Sequence, residues 1–503
     1  MLPVRSALCG SLSPAPGLPA LPAFPALEGL CRALTASGCE LYLVGGAVRD
    51  WLRGVPGNDL DLLVRHPQLD GRQLEDLLRR QLAPAPVLGV GQAFRVLKVK
   101  WAGEWLDLAL PSRPAPAPAP ARRQGQRQGQ GWLSDPRLPL QIDLARRDFT
   151  VNALALRLCP KAEREGSALT DPFGGRADLQ AGRLRATGAA ADRLGEDPLR
   201  LLRAARFAAQ GLTPDAELTA AAQAAAPQLA EVAPERLWHE WRRLFAAPQS
   251  AAGLRWLAGV GALAVIVPAW AEVDGLEQHN PHHSETVGEH LLSVVAGLDR
   301  MGAAPLTRQA GFFHDIGKGR TRTLQRGPAG LHGHFYGHEK VGAELTRRSL
   351  RHLRADGPHI RDLGRLVELH MRPGHAGSRA AARRLVAAAG ELLDPLLDLY
   401  AADRLAHLGE DPAHIRARQD FIRAAATDLP RAFSQHDLAL SGHDLLALGF
   451  CPQEVGAAKR WLTEQVLIGR AANERGALLP LLQREFPSGW LDARSSARAR
   501  EGE

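Results

Sequence analysis

The sequence predicts an α+β protein: a mixed sheet with helices in the N-terminal part, followed by an all-helical remainder. Three observations carry this. Between residues 40 and 110, short apolar runs alternate with Gly-containing turns, as strands do. From about residue 196 onward, Ala/Leu/Arg-rich segments take helical spacing with few strand signals. Between them, SRPAPAPAPARRQGQRQGQG (112–131) is low in complexity, first Pro-Ala and then Arg/Gln/Gly, and reads as a loop or linker without a packed core.

The chain has 503 residues, room for about three or four domains. Hydrophobic residues make up 45%, which sets it among globular chains with ample core. No apolar run approaches the ~20 residues of a membrane helix, so no membrane partner is expected. The Pro/Ala-rich N-terminus lacks the continuous apolar stretch of a signal peptide and reads as a disordered lead-in. Cys9, Cys31, Cys39, Cys159 and Cys451 are scattered and odd in number, which argues against a disulfide framework and suits a reducing cytoplasm. The net charge of +8 favours a polyanionic partner.

The first element is the apolar run Leu41 to Val44, a buried strand by its composition. It stops at Gly45-Gly46, where the backbone can turn tightly and approach a ligand closely. A short helix follows with Arg49 in its first turns, and N–H groups at such a turn attract phosphate. Asn58-Asp59-Leu60-Asp61 opens the next apolar run. Side chains alternate along a strand, so Asp59 and Asp61 share one face. Paired carboxylates repel, and a shared divalent cation relieves this; oxygen ligands of this kind suit Mg²⁺ bridging substrate phosphates. A lone Gly-Gly is mostly a turn and a lone D-x-D mostly a solvated strand edge. Their combination in strand–turn–helix–strand order resembles the class II nucleotidyltransferases, the bacterial tRNA CCA-adding enzymes and poly(A) polymerases. Their G-G-x-V-R-D…D-x-D signature is met by Gly45, Gly46, Val48, Arg49, Asp50, Asp59 and Asp61. That resemblance implies a polymerase-β-like head, with CTP and ATP as nucleotides and the tRNA 3′ end as acceptor.

GQAFRVLKVKW (91–101) and EWLDLAL (104–110) read as a hairpin turning at Gly103. Asp107 interrupts an apolar run, which needs a reason. It is either a water-facing residue of an edge strand or a third carboxylate helping to bind metal and activate a 3′-hydroxyl; the family places an acidic residue on this strand. ARRDFTVNALAL (145–156) could be a capped strand start, yet matches the family's R-R-D-F-T-x-N-A-L motif. By resemblance Arg147 contacts the nucleotide, and Asp148 and Asn152 shape the site. TDPFGGRADLQAGRLRA (170–186) resembles the element closing the catalytic head. In EDPLRLLRAARF (196–207), Arg200, Arg203 and Arg206 recur every three residues, roughly on one helix face. A solvated basic face is the plain reading. The resemblance implies instead a protein template in which Asp197 and Arg200 bond the Watson–Crick edge of the incoming base, assisted by Arg203 and Arg206.

A second constellation runs through the helical segments between residues 279 and 403: His290, His314-Asp315, His338, His370 and Asp403. Singly, each reads as an ordinary surface or core residue. Their order resembles the HD-domain metallophosphohydrolases, in the six-ligand version able to hold two metals. His and Asp together do not select the divalent metal. The resemblance implies phosphatase or 2′,3′-cyclic phosphodiesterase action. Residues 438–482 resemble a helical element found late in the same enzymes, which implies contacts to the tRNA acceptor and TΨC arms, mainly through phosphates.

The expected organisation is a lead-in (1–25), a nucleotidyltransferase head (26–190, with a low-complexity loop at 112–135), a helical neck (191–270), an HD domain (271–410), a helical tail (411–490) and a frayed end (491–503). The expected activity is addition of C and/or A to tRNA. The tract at 112–131 stands where the family carries a loop supporting the switch from C to A, which leaves CCA, CC-only and A-only addition open. One alternative is a poly(A) polymerase, disfavoured because Gly91-Gln92-Ala93-Phe94 lacks that group's basic residues. Another is a phosphohydrolase whose N-terminal part only binds RNA, and the least favoured is a pure RNA-binding scaffold.

Overall fold

The computed structural model describes residues 25–55, 60–90, 96–114, 132–158, 169–279, 285–327, 330–428, 430 and 432–486. The chain forms two compact units, residues 1–228 and 229–503. The division falls inside the stretch 191–270 expected as one helical neck.

Nine of the eleven strands described in the first unit make its central sheet and a short ribbon. They are β1 (Glu40–Val44), β2 (Leu62–Arg65), β3 (Val87–Val90), β4 (Val96–Trp101), β5 (Glu104–Ala109), β6 (Ser112–Pro114), β7 (Trp132–Ser134), β8 (Ala155–Leu158) and β9 (Leu169–Thr170). Seven form one mixed sheet in the order β3-β4-β5-β2-β1-β8-β9, in which only β2 and β5 run parallel. β4 and β5 are the expected hairpin, turning through Ala102 and Gly103 with φ of 49° and 88°. Two successive positive φ values are what a tight two-residue hairpin turn demands. One departure concerns the low-complexity loop: its ends pair, Ser112 opposite Ser134, as the β6–β7 ribbon, while 115–131 lie outside the described residues.

Helices Pro25–Ala36 and Gly71–Gln81 cover one face of the sheet. Their Leu30, Leu34, Leu74 and Leu78 pack with Leu41, Leu62, Leu97 and Leu108. Gly71–Gln81 starts at a capping box in which Asp70 accepts from the Gln73 N–H and the Gln73 side chain accepts from the Asp70 N–H. On the other face, helix Leu140–Ala145 buries Leu140 and Leu144 against Tyr42, Val44, Leu63 and Ala155, thus over β1, β2 and β8. Lys98, Lys100, Trp105 and Asp107 alternate with the core residues Leu97, Val99 and Leu108, so this second face continues beyond β2 onto β5 and β4.

The second unit is helical around an aromatic core of Trp241, Phe245, Trp270 and Phe312. It departs from the all-helical expectation at one hairpin, β strands Thr323–Gly327 and Gly330–His334. TLQRGPAGLHGH has too little apolar periodicity to distinguish a hairpin from a loop, and its strands form by pairing with each other rather than by burial. Gly317 follows the His314-Asp315 pair and lies against helix His338–His352; a Cβ there would overlap the His338 carbonyl and the Gly342 N–H. Gly317→Ala is therefore expected to lower stability by about 1–3 kcal/mol through overpacking, measurable by denaturant unfolding. An unchanged midpoint would show that the helix yields freely.

Candidate functional sites

In the first unit the nucleotidyltransferase residues converge at the C-terminal end of β1. Gly45 has φ 68° and ψ −129°, a conformation closed to side-chain-bearing residues. Its N–H donates to the Leu154 carbonyl at 3.0 Å, and a Cβ there would run into the Arg147 guanidinium and touch the Asp61 carboxylate. Gly45 is thus the hinge that lets Arg147 and Asp61 approach. Gly46 opens helix Gly46–Leu52. Asp61 is exposed and continues the β1 pairing through its carbonyl, which accepts from the Val44 N–H at 2.9 Å. Leu62 pairs with Leu108, so one step back along that register sets Asp61 beside Asp107 on the same face. Asp107 is exposed, and Lys98 opposite it on β4 donates to it at 2.9 Å. Asp59 lies outside the described residues.

Behind these carboxylates runs a buried polar chain. Arg49 donates to both oxygens of Asp50, at 2.9 and 3.0 Å, and through Nη1 to Asn152 Oδ1 at 2.6 Å. Asn152 Nδ2 donates to Asp148 Oδ1 at 2.9 Å, and Asp148 Oδ2 accepts from Arg203 Nε at 2.8 Å. The guanidinium carbons of Arg49 and Arg206 lie 5.0 and 4.5 Å from the Phe207 ring centre, within cation–π reach. Arg200 does not point outward as part of a solvated basic face. It donates to Glu196 at 2.7 Å and to the carbonyls of Arg193 and Arg146 at 2.8 and 3.2 Å. Asp197 accepts from the Leu199 N–H at 3.2 Å at the start of that helix.

Two buried carboxylates support the site, Asp143 outside every motif and Asp178 inside the quoted segment 170–186 but without an assigned role. Asp143, fully buried, takes Arg146 at 2.7 Å and Arg147 at 3.3 Å and so holds Arg147 toward Gly45. Its signal was the i,i+3 and i,i+4 spacing to those arginines. Asp178, also fully buried, accepts from Thr150 Oγ1 at 2.7 Å, Arg183 at 2.8 Å and Arg185 at 2.8 Å. It anchors the turn Thr150–Asn152 that presents Asn152.

Burial alone would raise the carboxyl of Asp148, yet Arg203 and Asn152 hold it below the ordinary range. Asp178 is likewise held low against burial by Arg185, Thr150 and Arg183. Their folded values lie below the unfolded one of about 3.9. The stability they contribute is therefore present above that value and lost as pH falls through the folded values. Urea unfolding of the first unit is expected to weaken steeply below about pH 4, and Asp148→Asn to flatten part of that acid limb. An identical limb in the variant would remove Asp148 from this role.

In the second unit, all six expected ligands meet. His290 lies on helix Val287–Arg300, and His314 and Asp315 follow helix Pro305–Phe313. His338 opens its helix, His370 ends Gly357–Leu369, and Asp403 lies on Leu393–Ala406. Asp315 is the centre: Oδ2 is 3.4 Å from His314 Nε2 and 3.7 Å from His290 Nε2, while Oδ1 is 3.1 Å from His338 Nε2 and 3.6 Å from His370 Nε2. Asp403 Oδ1 lies 3.0 Å from His290 and 3.5 Å from His314. His407, four residues after Asp403, adds its Nε2 at 3.4 Å and was overlooked despite that helical spacing. Lys318 donates to Asp315 at 2.6 Å and to Gln278 at 2.8 Å.

The donors fit a metal. His314, His338 and His370 each give Nδ1–H to a carbonyl three residues earlier (Gly311, Phe335 and Val367) at 2.7–2.9 Å. This tautomer leaves the Nε2 lone pair aimed at the cluster. His314 Nε2 is buried without a well-formed hydrogen bond. Burial would lower the His314 pKa, but Asp315 and Asp403 outweigh it and push it up to about 10. The two carboxylates thus make the pocket favourable to positive charge. The candidate metal-holding groups are His290–His314–Asp315, Asp315–His338–His370 and His290–Asp403–His407. They open into a cavity of 740 Å³ whose wall includes Lys340, Arg365, Arg372 and Arg404. His279 pairs with Glu277 at 3.3 Å; His282 and His283 lie outside the described residues.

The mixed-sheet head with its Gly-Gly turn beside carboxylates and the Asp-centred histidine cluster are carried on one chain. Residues 41–185 match the family described as the poly A polymerase head domain, and residues 287–408 match the HD domain. Residues 211–273 match a family described as a probable RNA- and SrmB-binding site of polymerase A. The A-adding tRNA nucleotidyltransferase of Deinococcus radiodurans is 35% identical over 465 residues, covering 90% of this chain and 95% of that protein. The multifunctional CCA protein of Paracidovorax citrulli is 35% identical across 61% of this chain and 67% of its own length. The CCA-adding enzyme of Bacillus stearothermophilus, solved with CTP, shares the fold with a TM-score of 0.63 at 22% identity, covering 95% of this chain and 99% of that one. This chain belongs to the tRNA nucleotidyltransferase family.

Proposed function

We propose that this chain adds AMP from ATP to tRNA already ending in CC. The observation that carries it is the near end-to-end relationship to an A-adding enzyme. The tract at 112–131, in place of an ordinary loop for switching from C to A, agrees with a single-nucleotide role.

In this reading Asp59 and Asp61 would hold a divalent cation, Mg²⁺ being suited to such oxygen donors, and its charge would be available to the transferring phosphoryl group. Asp107 accepts the proton of the terminal ribose hydroxyl. The 3′-oxygen bonds to the α-phosphorus as the bond to pyrophosphate breaks. Gly45, Gly46 and Arg147 face the triphosphate, Arg49, through Asn152 and Asp148, sets the position of Arg203, and Arg206 lies over the Phe207 ring that Arg49 also approaches. Asp197 and Arg200 read the base edge, for which Arg200 exchanges its contacts to Glu196 and main-chain carbonyls for the base.

The second centre reads as a phosphohydrolase: Asp315, with His290, His314, Asp403, His338 and His370, would hold divalent metal, which would supply an activated water for phosphoester cleavage. Lys340, Arg365, Arg372 and Arg404 in the cavity wall, which also holds Glu339 and Glu368, offer partners for a phosphate-bearing substrate. Residues 438–482 are assigned to the acceptor and TΨC arms. Among the described residues no helix is long and apolar enough to cross a membrane, and we place the protein in the cytoplasm with its tRNA substrate.

A primer-extension gel tests the reading with tRNA ending at the discriminator base or in CC, given CTP, ATP or both. Extension by one A on the CC-ended tRNA alone is expected. Three additions would make it a CCA enzyme, arrest after two a CC-adding one, and a long A ladder a poly(A) polymerase.

A further inference from the structure

We propose that the open sheet face around Trp105 and Lys100 is the platform on which the 3′-terminal base of the RNA primer stacks. The proposal rests on the reading of Asp107 as the group beside the attacking hydroxyl. Lys100 pairs with Trp105 across β4 and β5, two residues along the register from the Lys98–Asp107 pair. Trp105 is 48% exposed, and on the same face of the sheet Leu88 and Val90 of β3, opposite Lys98 and Val96, are 48% and 43% exposed. Helix Leu140–Ala145 packs over β1, β2 and β8, and among the described residues its core does not extend to β4 and β5.

Three arguments select the primer as occupant. Trp105 lies two residues from Asp107 on the same face, roughly 7 Å along the strand, which is about the distance from a ribose 3′-oxygen to the far side of its own base. In-line transfer places attacking and leaving oxygens on opposite sides of the phosphorus. Gly45 and Arg147 flank Asp61 on the β1 side, whereas β5 and β4 flank it on the other. The nucleotide and its pyrophosphate belong to the first side and the primer to the second. Lys100, exposed and facing an indole rather than a carboxylate, supplies charge for the adjoining phosphate.

The test is steady-state kinetics of A addition on CC-ended tRNA. Trp105→Ala is expected to raise KM for tRNA by about 5- to 100-fold, the range base–aromatic stacking supplies, with KM for ATP and kcat changed less than about twofold. Trp105→Phe should restore most of the affinity, and Lys100→Ala should flatten the salt dependence of KM by about one phosphate contact. A tRNA KM unmoved in Trp105→Ala overturns the proposal. So does a parallel rise in the KM for ATP, which marks distortion of the nucleotide pocket, or a change of oligomeric state with tRNA KM unmoved, which marks a self-contact. Asp107→Asn separates the underlying reading: unchanged kcat there removes Asp107 from proton transfer, while the platform is judged on the Trp105 variants.

Discussion

Arg49→Ala is expected to lower kcat/KM for nucleotide addition by roughly a hundred- to a thousandfold. Its guanidinium joins the Gly45–Gly46 helix to Asn152 at 2.6 Å, and Asn152 in turn holds Asp148 and Arg203. Arg49 and Asp148 are 9% and 7% exposed, so the chain is shielded from water. Losing a preorganised active-site contact costs about 2.7–4 kcal/mol of transition-state stabilisation, and about 1.4 kcal/mol corresponds to a tenfold change in rate. Lysine will not rescue the loss, because an ammonium cannot bond Asp50 twice and Asn152 at once. The control is the second unit: bound metal measured by elemental analysis should stay at the wild-type level. A variant within tenfold of wild type would mean that Asn152 is held by the Asp178-anchored turn alone.

Asp315→Ala is expected to abolish metal retention after dialysis against a divalent salt, with A addition to CC-ended tRNA unchanged. The same carboxylate contributes to both the His290–His314 and the His338–His370 groups, so its removal dismantles both at once. His407→Ala, at the edge of the cluster, should retain more metal. The loss also leaves Lys318 buried without its carboxylate, 2.6 Å away in the native protein. That uncompensated charge should cost about 3–5 kcal/mol. Asp315→Ala, Lys318→Ala should recover part of it, and a double-mutant cycle measures the coupling. Full metal content in Asp315→Ala would sink the assignment of Asp315 as the shared ligand.

Local patterns predicted the elements that carry motifs. Leu41–Val44, the turn at Gly45 and the 96–109 hairpin could be placed from apolar runs and glycines, because strand and turn chemistry are short-range. The six histidine-cluster residues could be gathered by order alone, since each sits at a helix start or end or on an inward face. What escaped was how charges are satisfied. Asp143 and Asp178 look like surface acids until the fold encloses them with arginines. Arg200, read as either a solvated residue or a base reader, is tied to Glu196 and main-chain carbonyls. The Thr323–His334 hairpin was missed because its residues bury little and gain their order from each other.

The Arg49–Asn152 bond joins residues 103 positions apart, and β1 pairs on one side with nearby β2 and on the other with distant β8. Long loops must close before such contacts contribute, which slows folding. During synthesis, β1 and β2 can pair early, but the central sheet stays open along β1 until β8 has left the ribosome. Until then Gly45, Arg49 and Asp61 exist without Arg147, Asp148 and Asn152. A nascent or truncated chain ending before residue 158 therefore offers an unpaired β1 edge and no nucleotide pocket, which makes it a substrate for chaperones and proteases rather than a partly active enzyme.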